Sequence, residues 1–494
     1  MRHDVYEHGG RWMQIHLLSE CRQKRGTTMG KICLKGGTVV SGSGSRIADL
    51  LIEDEKIVRV DTDIRVPDAR EIDCTGKYVF PGFIDAHTHF NLHVAGTVTS
   101  DNFETGTAAA IAGGTTLIID FGTQYHGETL NEGLLNWHAM ANANGPNSCD
   151  YSYHMSISEW NPRIRDEIDD MMEAGITTFK IYMTYPAMML NDGEIYEVLK
   201  KLKEVHSFTG CHCENAPVID ALIKEQKELG NFGPSAHPRS RPDTMEAEAV
   251  HRLMVIAKEA DAPIMVVHTT NEKALNEIIR GRADGVTAYS ETCPQYLFLD
   301  RSLYDLPGFE GAKYVCAPPL RTKHDQEVLW NAIKSGIIDT VCTDHCDFTL
   351  EQRKLGIDDF TKIPGGLPGV ETRGDLMFSE GVGRGRISPE CLCRVLSENQ
   401  AKLYGVYPTK GALLPGSDAD IAVIDPTRMK IITAKDWVTN CDNTPYEGMK
   451  LRGCVEKVFL RGNLCVDDGR LIRRGLGKFV KRDVPNYAHV EGLQ

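Results

Sequence analysis

The sequence predicts an α/β protein, a (β/α)8 barrel joined to a smaller β domain built from both chain ends. Three observations predict it. Apolar strand-like runs alternate with helical stretches from about residue 80 to 405, and repeated βα units of this length build a parallel sheet, most economically a closed barrel. Short strands separated by Gly, Asp and Lys turns fill residues 31–78, and strand patterns return after residue 420. Ionisable and metal-ligating side chains stand at the C-terminal ends of several barrel runs, the end where such barrels place their chemistry.

Taken in order, residues 1–28 are polar, unpatterned and mixed in charge, so a poorly ordered extension is expected up to about residue 30, with Met29 as the start of the patterned chain. The first β part, 31–79, holds Ile32-Cys-Leu, Gly37-Thr-Val-Val, Asp49-Leu-Leu-Ile, Lys56-Ile-Val-Arg-Val and Tyr78-Val-Phe. The barrel is placed at 80–405. Its strands include Thr115-Thr-Leu-Ile-Ile-Asp, Thr177-Thr-Phe-Lys-Ile-Tyr-Met, Pro263-Ile-Met-Val-Val-His and Thr340-Val-Cys-Thr-Asp, with helices at 166–174, 195–205, 244–260, 272–280 and 325–334. The second β part, 406–475, holds Asp420-Ile-Ala-Val-Ile-Asp, Lys430-Ile-Ile and Val455-Glu-Lys-Val-Phe-Leu-Arg-Gly, and 476–494 form a C-terminal tail.

Bulk properties remove several function classes. The net charge of −14 argues against a nucleic-acid surface, which is basic. No apolar run reaches the roughly 18 residues of a membrane span, and the N-terminus lacks a signal peptide's continuous apolar core. A cytoplasmic protein is expected, its 15 cysteines being reduced thiols. Cys211-x-Cys213 and Cys391-x-Cys393 lack zinc-knuckle spacing and read as structural.

Pro81-Gly-Phe-Ile-Asp-Ala-His-Thr-His89 ends an apolar run with two histidines two residues apart. On a strand, residues i and i+2 share a face, so His87 and His89 can aim at one point. Alone, the pair also fits surface or hydrogen-bonded core histidines. Other runs supply more donors. Lys180 lies in Thr177-Thr-Phe-Lys-Ile-Tyr-Met-Thr-Tyr185, His212 in Cys211-His-Cys-Glu-Asn, His268 ends Met265-Val-Val-His, and Asp344 ends Thr340-Val-Cys-Thr-Asp. Each singly fits a structural role, but five coincidences at equivalent strand ends do not. Four imidazoles and a carboxylate suit a borderline metal such as zinc, and across one barrel they can hold two ions. His93, Glu159 and His345 read as structural or supporting polar residues near the mouth.

Lys180 is the odd member. An ammonium beside two divalent cations loses its proton to their field. The neutral amine can then add carbon dioxide to give a carbamate, N6-carboxylysine, an anion able to bridge both ions.

The 81–89 segment, Phe179-Lys-Ile-Tyr-Met-Thr-Tyr, His212-Cys-Glu-Asn, Glu291-Thr-Cys-Pro-Gln-Tyr-Leu, Ala317-Pro-Pro-Leu-Arg and Cys342-Thr-Asp-His-Cys together resemble the cyclic amidohydrolases, most closely the dihydropyrimidinase and D-hydantoinase branch. Residues 97–107 and His237-Pro-Arg-Ser-Arg-Pro add to the likeness, which runs from about residue 31 to 480. The resemblance implies a TIM-like barrel with a β-sandwich made from both chain ends, and a homotetramer. It places one metal on His87 and His89 and the second on His212 and His268. A carbamylated Lys180 bridges them, Asp344 completes the first shell, and Tyr185 contacts substrate. The metals are expected to be Zn2+, with Mn2+ or another divalent ion as the alternative. Two positions depart from the family pattern: Ala317 stands where a serine is usual, and Gly365 where an asparagine is usual. Both belong to the substrate-binding set, so they bear on specificity rather than on catalysis.

The activity expected is ring opening of a small-molecule cyclic amide, a 5,6-dihydropyrimidine or 5-substituted hydantoin, to an N-carbamoyl amino acid. A hydroxide bridging the metals would attack, Asp344 would carry its proton to the leaving ring nitrogen, and a metal with the Tyr185 hydroxyl would stabilise the oxyanion. Allantoinase and dihydroorotase share the metal cage and are the near alternatives. A non-catalytic dihydropyrimidinase-like scaffold is the remote one, disfavoured because all six ligand positions are filled.

Overall fold

The structure, a computed structural model, describes residues 30–486. The expected disordered extension, the Met29 start and residues 487–494 of the tail lie outside the described residues.

Eight parallel strands form the barrel: β1 (Phe83–Thr88), β2 (Thr115–Thr123), β3 (Asp150–Ser156), β4 (Phe179–Tyr182), β5 (Thr209–His212), β6 (Ile264–Val266), β7 (Ala288–Thr292) and β8 (Thr340–Val341). They pair in sequence order from β1 to β8. The seam between first and last is closed beyond β8. There Thr88 bridges His345, the His89 N–H donates to the His345 carbonyl at 2.8 Å, and the His345 N–H donates to the His87 carbonyl at 3.3 Å. Every residue of β1, β2, β3 and β5 is buried, as a sheet covered on both faces requires.

Several helices begin earlier than the apolar pattern suggests, and capping residues fix the first turns of the two that shift most. The helix expected at 166–174 is Pro162–Ala174; Asn161 accepts from the Arg163 and Ile164 N–H groups, and Gly175 ends it at φ 82°. That expected at 195–205 is Asp192–Glu204, opened by a capping box between Asn191 and Glu194. The other three are Asp243–Ala260, Glu272–Ala283 and Lys323–Ser335.

The second domain is a nine-stranded sheet drawn from both chain ends. Tyr78–Pro81 joins them, pairing in parallel with Ile32–Ser41 and antiparallel with Ile421–Ile431. Ile32-Cys-Leu and Gly37-Thr-Val-Val read as two short strands, but they form one. A register shift between Leu34 and Gly37, with Gly36 at φ 67°, puts a bulge where the pattern breaks. Leu34, Leu50, Ile57, Val79, Ile421, Val423 and Phe459 pack into a core of their own.

A buried charge cluster ties this domain to the N-terminal end of the barrel. Lys410 Nζ donates to Asp150, the first residue of β3, at 2.7 Å, and to Asp420 at 2.6 Å and Asp418 at 3.1 Å, while Arg461 pairs with the same Asp150. Beyond it the chain runs beside β3: the Val480 N–H donates to the Tyr151 carbonyl, and the buried Arg482 donates to the Tyr153 carbonyl. Every cysteine among the described residues is buried and unpaired.

Candidate active site

The expected donors converge at the C-terminal end of the barrel. His87 is in β1 and His89 one residue beyond it; Lys180 is in β4, and His212 is the last residue of β5. His268 and Asp344 lie just past β6 and β8 rather than within them. Their φ angles of 39° and 51° show why: a left-handed residue turns the chain out of the strand. Tyr185, at φ 68°, makes a third such turn. Non-glycine residues held in this region cluster at functional sites, where the surrounding packing maintains the strain.

Nε2 of His87 and Nε2 of His89 approach Asp344 Oδ1 to 3.1 and 3.2 Å, and these three residues offer ligand atoms that all lie within 4.8 Å of one another. The His212 and His268 rings are 4.4 Å apart between centroids, and His268 is 5.5 Å from His87. Lys180 is buried, its Nζ 4.9 Å from the Phe121 ring centroid and 5.5 Å from that of Tyr182. The six expected metal-binding side chains therefore face one small volume.

The supporting residues fix which nitrogen each imidazole presents. Glu291, on β7, holds His87 Nδ1 at 2.6 Å through Oε1, which also accepts the His268 main-chain N–H at 3.3 Å. Glu214 Oε2 holds His212 Nε2 at 2.8 Å and accepts from Arg241 Nη1 at 2.6 Å. His87 is thus left with Nε2 to offer and His212 with Nδ1, the carboxylate–histidine arrangement that orients metal ligands. One oxygen of each glutamate, Glu291 Oε2 and Glu214 Oε1, is buried without a hydrogen-bond partner.

Electrostatics suits ligation by N and O donors. Burial drives the His89 imidazole down to about 4, lowers His212, and pushes His268 well below the usual histidine range. Their lone pairs are free to bind a cation. Burial opposes ionisation of Asp344, but His87 and His89 outweigh it and hold that carboxyl well below its ordinary value. Burial lowers the Lys180 ammonium, offset only in part by Asp344 and Glu291. His87 differs: burial would lower its imidazole, but Glu291 and Asp344 outweigh burial and raise it. Three imidazoles held neutral, a fourth between two carboxylates, an ionised carboxylate and a lysine disposed to lose its proton fit divalent ions of the zinc type.

Tyr185 stands beside the donors, its ring 5.1 Å from that of His212. Burial raises its phenol far above the usual range, so it serves as a hydrogen-bond donor. The segments that carry Ala317 and Gly365 adjoin: the Gly366 N–H donates to the Val315 carbonyl at 2.9 Å, and a Cβ built on Gly365 would have Cys316 Cα and Val315 Cγ1 at 3.9 Å. His345 backs the site. The Gly369 and Val370 N–H groups both point at its Nδ1, and its Nε2 faces Asp101 Oδ2 at 3.1 Å. His93 is exposed on a two-residue strand, and Glu159 accepts from the Gly127 N–H.

Glu291, Glu214 and Arg241 had no roles in the sequence reading, although each lies in a segment that carried the resemblance. Proximity was the available signal for Glu214, two residues after His212. Nothing local marks Glu291 or Arg241, whose partners come from distant strands.

A family profile described as the amidohydrolase family matches residues 78–465. A D-hydantoinase from Geobacillus stearothermophilus is 42% identical over 453 residues, covering 91% of this chain and 96% of that protein. A D-phenylhydantoinase from Escherichia coli is 40% identical, covering 92% of this chain and 98% of its own. Among solved structures, a dihydropyrimidinase from Brevibacillus agri superposes with a TM-score of 0.90 at 42% identity, covering 92% of this chain and 99% of that one.

Proposed function

The chain belongs to the amidohydrolase family, in its hydantoinase and dihydropyrimidinase branch, and from that premise we propose that it hydrolyses the ring amide of 5-substituted hydantoins and 5,6-dihydropyrimidines to N-carbamoyl amino acids. The observation that carries the reading is the convergence of His87, His89 and Asp344 on one point, with the His212–His268 pair and the buried Lys180 alongside.

His87, His89 and Asp344 would hold one divalent ion, His212 and His268 the second, with Lys180 bridging as N6-carboxylysine; Zn2+ matches the donors. When bound, the ions supply Lewis-acid polarisation and a nucleophile available near neutral pH. Asp344, ionised and touching both His87 and His89, takes a proton on its carboxylate and returns it to the departing ring nitrogen, base and then acid. The Tyr185 hydroxyl donates to the carbonyl oxygen as charge develops there, a donor of the kind worth about 3–4 kcal/mol. Glu291 and Glu214 keep the imidazoles in their ligating tautomers. Ala317 and Gly365 shape the ring-binding side. We extend the proposal to a cytoplasmic homotetramer, which the family resemblance supports and light scattering tests.

A substrate panel on metal-loaded protein tests the function. Hydantoin, 5-phenylhydantoin or dihydrouracil should yield an N-carbamoyl product. Turnover confined to allantoin or dihydroorotate would move the chain to another branch, and metal-free, inert protein would favour the scaffold reading. Native mass spectrometry should find Lys180 heavier by one carbon dioxide; an unmodified amine beside two bound metals would sink the bridge.

A further inference from the structure

Arg241 lies outside the donor set, yet it touches two residues that the proposed reaction needs. Its Nη1 donates to Glu214 Oε2, the same oxygen that holds His212 Nε2. Its Cζ is 5.5 Å from the Tyr185 ring centroid, within cation–π range. Tyr185 in turn meets the His212 ring edge-on, at an interplanar angle of 61°. His212, Glu214, Arg241 and Tyr185 therefore close a circuit of four contacts, with a metal-ligand imidazole at one corner and the oxyanion donor at another.

The guanidinium suits this position because a planar, weakly hydrated cation can face an aromatic ring while donating in its own plane to a carboxylate, whereas an ammonium is a compact, strongly hydrated point charge. Arg241 is itself anchored. Its carbonyl accepts from Arg321 Nη1 at 2.6 Å, and Arg321 Nε donates to Thr270, two residues beyond His268. The circuit is fastened to the segment that carries the other second-metal histidine. Tyr185 stands at a left-handed turn, at φ 68°, and its ring lies against both the Arg241 guanidinium and the His212 ring.

Resting on the reading of the function given above, we propose that Arg241 is a positioning residue for this reaction. It sets the Tyr185 hydroxyl through the ring and, through Glu214, the His212 face that meets the second metal. A plain Glu214–Arg241 ion pair would do only the second.

A double-mutant cycle on the metal-loaded enzyme separates these roles. Arg241→Met should lower kcat about 30- to 100-fold, approaching the loss of an oxyanion donor, with KM changed less than about threefold. In a Tyr185→Phe background the same substitution should cost less than about threefold more, because the group it positions is gone. Arg241→Lys should recover less than about tenfold, since it keeps the charge but loses the fork. Equal losses in both backgrounds would overturn the Tyr185 arm. A second readout needs no turnover: titration of metal-free protein with Co2+, followed by its absorption bands. Arg241→Met should weaken the second ion about 10- to 100-fold and spare the first; unchanged affinity for both would overturn the His212 arm. If the wild type opens no cyclic amide, the proposed function falls, and this titration still judges the circuit.

Discussion

Lys180 and Lys410 are both sealed from solvent, 1% and 3% exposed, at opposite ends of the barrel, and their surroundings are opposite. Lys410, at the N-terminal end, donates to Asp150 of the barrel and to Asp418 and Asp420 of its own domain, with Arg461 also pairing Asp150. Burial alone would lower its ammonium, but Asp420, Asp150 and Asp418 raise it far above the usual lysine range. Lys180, at the C-terminal end, lies over Phe121 and Tyr182, and burial dominates to lower it. A buried charge with its partners in place holds two domains together. A buried amine lacking such compensation is chemically available, and it sits where the imidazoles converge. Burial marks both lysines, and only the partners tell a fastener from a reactive group.

The largest effect expected concerns the reactive end. Asp344→Asn should abolish turnover, a loss of about 10³-fold or more from removing the proton carrier, with metal retained in part on the histidines. Turnover near the wild-type level would remove Asp344 from the proton path.

The two lysines themselves provide the direct way to break the comparison. Lys410→Met leaves three buried aspartates short of their cation and should cost about 3–5 kcal/mol of stability, with kcat per folded site near wild type. Lys180→Met should do the reverse, losing bound metal and turnover while metal-free protein melts at or above the wild-type temperature, since an uncompensated buried amine is gone. Metal analysis with thermal melts of metal-free protein reads both. If the two variants destabilise the metal-free fold equally, the contrast between fastener and reactive group is false.

How much of this was legible beforehand follows the same division. His87 and His89 were readable because their geometry is local, two residues apart on one strand. Lys180, His212, His268 and Asp344 were readable as residues at the ends of apolar runs, since a barrel brings strand ends together whatever its loops do. Glu214 stands two residues from His212, close enough for the sequence to suggest the pairing, but the task of Glu291 depends on placement across strands: His87 and Glu291 are on β1 and β7. Asp150–Ser156 reads as polar and yet is buried throughout, because Asp150 meets Lys410 and His154 meets Thr178 and the Ala86 carbonyl. Hydropathy cannot anticipate a polar group satisfied by a partner remote in sequence. The left-handed turns at His268 and Asp344 are equally invisible to a pattern that registers only which residues are apolar.

His237 is a third kind of buried group, an imidazole kept neutral. Burial, with Arg241 adding to it, drives it down to about 4, and it faces the Cys316 carbonyl at 2.8 Å. The folded protein refuses a proton that the unfolded chain accepts. The stability this confers is whole above the unfolded value of about 6.5 and is lost as the pH falls toward 4, by about 3 kcal/mol in all. Urea unfolding of metal-free protein should therefore show a smaller loss between neutral and acid pH for His237→Gln than for wild type. A larger loss in the variant would mean that His237 is protonated in the fold.

The finest version of the contrast lies between two adjacent glycines at the mouth. Arg353, fully buried, donates to the Pro364 and Gly366 carbonyls and so clamps the loop that contains them. Gly366 has φ 149°, and a Cβ there would fall 2.3 Å from the Cys346 carbonyl oxygen; Gly365 has nothing nearer than 3.9 Å. Gly366→Ala must therefore shift the loop or the segment after Asp344, lowering stability and turnover together. Gly365→Asn adds a side chain to open space within a loop whose backbone is already held. It should leave the melting temperature within a few degrees, a change of under about 1 kcal/mol, and alter the ratio of kcat/KM for 5-phenylhydantoin over dihydrouracil by a few-fold, against the bulkier ring. The ratio falls short of the roughly 10-fold or more that one methylene commands inside a closed pocket, because the side chain enters open space. An unchanged ratio would place Gly365 outside the substrate's reach and leave Ala317 as the departure that bears on specificity.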